Sequence, residues 1–441
     1  MLKDSQGLVV TTDSPDAIAA INHFIDQALF YGKDAEIAIL QAIAADSNCA
    51  LAHAYAASYY LSQENKIAWQ QAQPHLQAAQ KNLPKITNRE QLYVQAILAW
   101  ANTEIDVAIA LHEEITNTFP RDLIAVQQGQ YHYFYLGNKE RSLQIAQKVL
   151  PANPENHYLY SMVAFSLEQC HQLAAAEAMG RQATLMNRYN PWAHHAVAHV
   201  LETQGRVDEG IAWMESFADT WENCNSMLYT HNWWHIALYY LKKGDAEKVL
   251  ALYDHHIQER AKKQSPKDQV AAISLLLRLE LRGVNVGSRW HNLSAYIYSR
   301  IDEHALPFQD LHYVYALFKA GFSNWGNQML LSMEKHALSI NPFLRQGWLE
   351  VAIPAARGMV AHAKGDFNTA IAQLKPVLPR LHEIGGSHTQ RVLFEQVYQN
   401  AMLMAQKQSY VYKKVGELVI PLEKYYLICG TATLFCGILF L

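Results

Sequence analysis

The sequence predicts an all-α fold, a superhelix built from repeated helix–turn–helix units. Helical periodicity runs along most of the 441 residues, whereas strand-type alternation is rare. Polar turns that contain a glycine recur between amphipathic segments, at Gly137, Gly205, Gly244 and Gly365. Gly137 and Gly205 are 68 residues apart, which is twice 34, and a fixed period of this size indicates a helical repeat.

Within each unit we expect the first helix to end at the glycine, which tolerates positive φ, and a second helix to follow the polar turn. Pro120 and Pro154 are also 34 residues apart, and Pro191 follows after 37. We expect each proline to open a helix, where its missing N–H costs nothing. A 34-residue unit of this kind is typical of the tetratricopeptide repeat. Neighbouring units stack to bury their apolar faces and leave a concave groove.

The repeats are clearest at about 36–85, 106–155, 156–220 and 225–260. They are degenerate around 265–340 and reappear at 343–405. No low-complexity linker interrupts them, so we expect residues 1–407 to form a single superhelical domain and residues 408–441 to form a C-terminal extension.

The extension contains an apolar segment, 425–441, with the sequence "YYLICGTATLFCGILFL". As a helix it would be about 25 Å long, slightly short for a bilayer core of about 30 Å. A membrane anchor and a last helix packed on the domain both fit this segment. The N-terminus lacks the apolar region of a signal peptide, so we expect a cytoplasmic protein, with membrane association through 425–441 as the alternative.

Composition excludes several classes of function. The net charge is −4 and no basic patch is evident, so nucleic acid is not an expected partner. The five cysteines form no CxxC pair, which argues against a disulfide framework and a thiolate zinc site. The sequence also lacks a phosphate-binding loop, a dinucleotide fingerprint and a GxSxG elbow.

Several separated motifs carry a family resemblance: "HAVAHVLETQGRVDEGIAWM", "HNWWHIALYYLKKGDAEKVLALYDHHI", "VNVGSRW", "GGSHTQRVLFEQ" and the opening "DSQGLVVTTDS". Together, in this order, they resemble the tetratricopeptide repeat protein 38 family over about residues 3–405. The resemblance implies an all-α superhelix of degenerate repeats and leaves the biochemical activity open. The apolar tail after about 408 departs from the family pattern.

Two histidine pairs are the main candidates for a site. In "PWAHHAVAHVLE", His195 and His199 share a helix face with Glu202, because residues four apart lie on one side. In "LYTHNWWHIALYYL", His231 and His235 repeat the spacing 36 residues later. The turn glycines of these units are 39 residues apart, which offsets the second pair by roughly 60°. Adjacent helix axes lie about 8–10 Å apart, so the pairs are still within reach of each other.

These side chains allow three interpretations. The four imidazoles would hold a divalent metal such as zinc, with Glu202 as a further ligand or as the base for a bound water. Without metal, His199 or His235 would serve as general acid or base near neutral pH. A structural hydrogen-bond network explains the same residues, and the glutamate of the HExxH pattern is absent.

Other residues are expected to contribute to ligand binding in the groove. Arg391 suits a ligand carboxylate, which it can bind through two parallel hydrogen bonds. The full set of these candidates is Trp192, Asn232, Trp233, Trp234, His388, Gln390 and Arg391. The sequence therefore favours a protein that binds a small molecule or a short peptide in a concave groove rich in His and Trp. An enzyme, either a hydrolase or a transferase using the histidines, and a scaffold for protein assembly are the alternatives.

Overall fold

The computed structural model of the chain describes the backbone of residues 1–428 and the side chains of residues 1–410. The predicted membrane anchor at 425–441 lies outside the residues whose side chains are described. Across the described residues, no helix combines the length and the apolar character that a bilayer crossing requires.

The described residues are almost entirely helical, as the periodicity predicts. The exception is a short antiparallel pair of strands, β1 (Leu2–Lys3) and β2 (Val9–Val10), in which Leu2 lies opposite Val10. The α-helices are, in chain order, α1 (Pro15–Phe30), α2 (Ala35–Ala45), α3 (Ala50–Leu61), α4 (Lys66–Asn82), α5 (Asn88–Ala101), α6 (Ile105–Thr118), α7 (Leu123–Tyr135), α8 (Lys139–Gln147), α9 (His157–Gln169), α10 (Leu173–Met186), α11 (Pro191–Thr203), α12 (Val207–Glu215), α13 (Ser226–Lys242), α14 (Ala246–Leu252), α15 (Pro266–Glu280), α16 (Arg289–Ile297), α17 (Pro307–Lys319), α18 (Ser323–Ser339), α19 (Pro342–Gly347), α20 (Ile353–Ala363), α21 (Phe367–Leu374) and α22 (His388–Ile428).

The helices pack as consecutive hairpins, for example α3 with α4, α9 with α10 and α20 with α21. The four glycines that mark the predicted turns, Gly137, Gly205, Gly244 and Gly365, all have positive φ, between 68° and 79°. First helices of successive hairpins also contact one another, as α9, α11, α13, α15 and α17 do in turn. The first helices therefore form the inner layer of the superhelix.

Only one of the three prolines opens a helix. Pro191 occupies the start of α11. Pro120 and Pro154 instead lie in the turns before α7 and α9, so the prediction is wrong for these two. The helices begin later because Asp122 and Asn156 act as N-caps, each accepting a hydrogen bond from an N–H of the first turn.

The degenerate stretch at 265–340 contains two ordinary hairpins, α15 with α16 and α17 with α18. The irregularity around it has a local cause. A π-helical turn continues α14 at Tyr253–Gln258, and another joins α19 to α20 at Trp348–Ala352. Each π turn shifts the helical register, which blurs the 34-residue period in the sequence.

The superhelix closes on itself, because its N-terminal hairpins contact the middle and the end of the chain. Gly32 forms an isolated antiparallel bridge with Cys224. Beside it, the N–H of Asn225 donates to the carbonyl of Tyr31 at 2.7 Å. The loop between α1 and α2 is thus joined by backbone hydrogen bonds to the loop before α13.

A second set of contacts joins the α3–α4 turn to the C-terminal half. The N–H of Lys66 donates to Glu303 at 2.7 Å, and Lys267 donates to the carbonyl of Ser62 at 2.8 Å. Farther along, Gly137 packs so closely against the backbone of His382 that any side chain at 137 would collide with it. The concave groove expected from the repeats is therefore closed on several sides by the chain.

Candidate functional site

Contacts between distant parts of the superhelix border a partly open chamber of about 290 Å³. Its wall is formed by inner-layer helices from both halves of the chain, together with the loops that close the ring. Amide side chains and aromatic rings dominate this wall. The aromatic members include Tyr31, Tyr131, Tyr135, Phe165, Trp192 and Phe308.

The four histidines of the two predicted pairs come together at the chamber wall; we call them the histidine cluster (His195, His199, His231 and His235). One ring nitrogen of each lies within 4.8 Å of the others. The separations between contacting ring centres run from 4.5 Å, between His199 and His235, to 5.0 Å, between His195 and His235. Three members line the chamber, and His235 is fully buried behind them.

Burial keeps three of the four imidazoles neutral. Burial, and then the neighbouring imidazoles, lower the pKa of His195, His199 and His231 well below the usual histidine value. The Nε2 atoms of His195 and His199 lie 3.1 Å apart, the distance of a hydrogen bond. Nδ1 of His195 and both nitrogens of His235 have no hydrogen-bond partner among the described residues. Neutral imidazoles with free lone pairs are available to bind a ligand.

Glu202 lies behind the cluster rather than within it. Its Oε2 is 3.4 Å from Nδ1 of His235, and its Oε1 is 3.4 Å from Nζ of Lys242. Burial opposes ionisation, but the contacts with His235 and Lys242 outweigh it and hold the pKa of Glu202 below its usual value. An ionised carboxylate thus faces the outer nitrogen of one cluster member.

A second polar group adjoins the cluster through His199. Oε1 of the buried Glu168 lies 3.0 Å from Nε2 of His388, and its Oε2 lies 3.8 Å from Nδ1 of His199. The hydroxyl of Thr389 is 3.3 Å from the same Nδ1. Glu168, on α9, therefore connects His388 to the cluster. No sequence motif singles out Glu168.

Of the other predicted ligand-binding residues, Trp192 and Gln390 line the chamber. Trp192 stacks on Tyr31, with ring centres 4.9 Å apart, and packs on His195. Gln390 accepts from the N–H of Ser387 at 2.9 Å and caps the start of α22.

The remaining predicted residues lie outside the chamber lining. Trp234 is buried behind His231, on which it stacks, and its Nε1 donates to Ser274 at 2.9 Å. Trp233 stacks on His256 instead, with ring centres 3.6 Å apart. Asn232 is buried, and its amide has no partner among the described residues. Arg391, in the first turn of α22, donates to the carbonyl of Gly386 in the preceding loop, so its guanidinium is already engaged.

Sequence reasoning missed the residue that organises the opposite wall. Glu64 is buried in the α3–α4 turn and accepts hydrogen bonds from the hydroxyls of Tyr131 at 2.8 Å and Tyr135 at 2.9 Å. It also accepts from Gln309 and lies 3.0 Å from Nζ of Lys267. These partners come from α7, α15 and α17, so no local motif could have identified Glu64.

No family model matches the chain. Solved structures with a similar course include a Rap protein complexed with Competence and Sporulation Factor, at 13% identity over 92% of this chain and 99% of that one, with a TM-score of 0.46. Human IFIT1 bound to PPP-AAAA is 16% identical over 96% of both chains, with a TM-score of 0.42.

TTC0263, a thermophilic TPR protein from Thermus thermophilus, is 18% identical over 43% of this chain and 99% of that one, with a TM-score of 0.35. Likeness at this level concerns the fold alone. The chain is an all-α superhelix of tetratricopeptide-type helical hairpins.

Proposed function

We propose that this protein binds a small organic molecule inside the chamber, with the histidine cluster as the polar end of the site. The observation that carries the proposal is the closure of the superhelix. A short peptide needs an open groove, whereas this chamber is closed on several sides by backbone contacts such as Gly32–Cys224. Its volume of about 290 Å³ is near the lower end of the range for small-molecule pockets, about 300–1,000 Å³.

The chemistry of the wall indicates what kind of molecule fits. Among the described residues, no carboxylate lines the chamber, whereas Lys262 and Lys267 do. Glu64, an acid close behind the wall opposite the histidine cluster, already accepts hydrogen bonds from several lining side chains. Aromatic rings cover much of the remaining surface, and such rings favour a planar or apolar body. We therefore infer a molecule with an apolar or aromatic body and a neutral or negatively charged polar group.

Retention of small molecules tests this proposal. Purified protein is incubated with a dialysable metabolite extract, dialysed and analysed by native mass spectrometry. Met227 lines the chamber and is half-buried, so Met227→Trp is expected to fill part of it and to lower the retained amount about tenfold or more. Leu185 is 81% exposed on α10, so Leu185→Trp adds the same ring outside the chamber and serves as the matched control. Equal retention by both variants, or none by the wild type, would contradict the proposal.

An enzyme is the second candidate, and the neutral imidazoles at the chamber wall favour it. A neutral histidine in contact with a bound molecule accepts a proton, as a hydrolase or a transferase requires. The same incubation tests this candidate, because turnover would produce masses absent from the extract and their formation would stop in His195→Ala. A scaffold for protein assembly, by contrast, would be indifferent to Met227→Trp.

The family, the domain bounds and the cellular compartment of the protein also belong to the proposal. The motifs quoted above support placement with the tetratricopeptide repeat protein 38 family, and continuous stacking supports one domain over residues 1–407. The three cysteines in the described residues are free thiols, which supports a reducing compartment such as the cytoplasm.

A further inference from the structure

The arrangement of the histidine cluster matches four imidazoles around one ion. An imidazole nitrogen binds zinc at about 2.0–2.1 Å, which places the ring centre about 3 Å from the metal and separates four tetrahedral ring centres by about 5 Å. Five of the six ring pairs in the cluster are in contact, with ring centres 4.5–5.0 Å apart, and the pair His199–His231 is the more distant one. The same rings are tilted or edge-on to one another, at 56–89°, as expected of rings that radiate from one point.

Hydrogen bonding within the cluster does not account for this arrangement. One contact joins two members, between the Nε2 atoms of His195 and His199. His235 is 0% exposed; its Nδ1 has only Glu202 near it, at 3.4 Å, and its Nε2 has no hydrogen-bond partner among the described residues. Leaving buried polar atoms unpaired is unfavourable, because they have lost their hydrogen bonds to water. A bound cation would satisfy several of them at once.

In His235 and His199, the ring nitrogen that points away from the other cluster members is placed as metal-binding histidines require. Such histidines commonly turn their second nitrogen toward a carboxylate or a hydroxyl, which fixes the ring and makes it a better ligand. Here Nδ1 of His235 faces Glu202 at 3.4 Å, which leaves its Nε2 for the cluster. Nδ1 of His199 faces Thr389 at 3.3 Å and Glu168 at 3.8 Å. The carboxylate of Glu202, whose pKa is held below its usual value, also supplies negative charge beside the cluster.

We propose that His195, His199, His231 and His235 bind one divalent transition-metal ion of the zinc class at the chamber wall. An all-nitrogen set of imidazoles favours zinc, cobalt, nickel or copper over magnesium or calcium, which prefer oxygen ligands. The site is built by this chain alone, and metal binding does not depend on any organic molecule in the chamber.

Metal titration of the full chain tests the site. Protein stripped with a chelator is titrated with Co²⁺, followed by visible absorption, and with Zn²⁺, followed by native mass spectrometry. The wild type is expected to bind one equivalent of either ion. His231 is the half-buried member of the cluster, so His231→Ala is expected to fold and to lose about 100-fold in affinity.

His112→Ala is the matched control, because His112 is fully buried on α6 and lies outside the cluster. It is expected to bind like the wild type. The titration contains no organic ligand, which separates this site from occupancy of the chamber. X-ray absorption at the zinc edge of the wild type gives a readout that needs no variant, with three or four imidazole nitrogens expected at about 2.0–2.1 Å. Absence of a stoichiometric site, equal affinity in His231→Ala, or a spectrum dominated by oxygen ligands would overturn the proposal.

Discussion

Two groups of buried histidines lie in the same superhelix and differ in their surroundings. His112 on α6 and His132 on α7 stack with ring centres 5.7 Å apart, and His132 also packs edge-on against Trp100. No ion pair joins either ring to a carboxylate among the described residues, and the chamber does not reach them. The histidine cluster, by contrast, has Glu202 and Glu168 behind it and the chamber in front.

Burial is common to both groups, so it does not identify a site. Desolvation alone lowers the pKa of His112 to about 3, and desolvation, with His112 adding to it, lowers the pKa of His132 well below the usual value. In the histidine cluster, the pKa values of His195, His199 and His231 shift in the same direction. What distinguishes it is a carboxylate on the outer nitrogen and an accessible cavity on the inner side. The pair between α6 and α7 serves as packing, whereas the cluster has the surroundings of a binding site.

The comparison depends on the closed chamber, which Glu64 holds together. Glu64→Gln keeps the volume of the side chain but removes the charge that faces Lys267, and it replaces one acceptor oxygen by a donor. We expect the free energy of unfolding in urea to fall by about 3 kcal/mol, since hydrogen bonds to a buried charge are worth about 1.5–3 kcal/mol each.

We expect Glu64→Gln to affect the two groups of histidines differently. Amide hydrogen exchange at the start of α17 should accelerate, and reagents for imidazole should reach His231 faster while His112 stays protected. Glu114→Gln, on the exposed face of α6, is the control and should change neither property. Unchanged stability and exchange in Glu64→Gln would mean that the chamber is held closed by other contacts.

The pH dependence of stability tests the interpretation of His112 and His132 as packing residues. The pKa of His112 is lower in the folded chain than the usual value of about 6.5 in the unfolded chain. The contribution of His112 to the free energy of unfolding is therefore complete above pH 6.5, and it is lost as the pH falls toward the folded pKa of about 3. Between pH 6.5 and pH 5 the loss amounts to about 2 kcal/mol. Urea unfolding of wild type and His112→Leu across this range measures it, and parallel curves would contradict it.

The smallest expected change in the free energy of unfolding concerns His112 at pH 8, where its imidazole is neutral in both the folded and the unfolded chain. Both of its nitrogens lack a partner among the described residues, so His112→Leu should raise the free energy of unfolding by about 1 kcal/mol. The matched change His235→Leu should lower it, because Glu202 would then lie buried against methyl groups. A fall in both variants would indicate that the two groups have similar surroundings after all.

The helical hairpins and the meeting of the two histidine pairs could be predicted because both depend on local periodicity. The i,i+4 spacing places His195 and His199 on one face, and the repeat brings His231 and His235 onto the neighbouring helix. The position of Glu202 was harder to predict. It shares the stripe with His199 on α11, but the direction of its carboxylate is set by His235 and Lys242 on α13.

Closure of the chamber could not be predicted from the sequence. Glu64 and Gln309 are 245 residues apart, and Glu168 and His388 are 220 residues apart. Nothing in a repeat pattern specifies how far the superhelix turns before its ends meet, because that angle is the sum of small rotations at every hairpin. The missed residues are therefore those whose roles depend on contacts between distant repeats.

The backbone bridge at Gly32 and Cys224 also limits how this chain can change length. An open solenoid gains or loses whole units readily, since each unit touches only its neighbours. In this closed superhelix, inserting or deleting a hairpin between these two residues would displace Gly32 from Cys224 and break the backbone bridge that joins them. Related sequences with the same chamber should therefore keep the number of units between those positions, while extra residues accumulate in the outer turns.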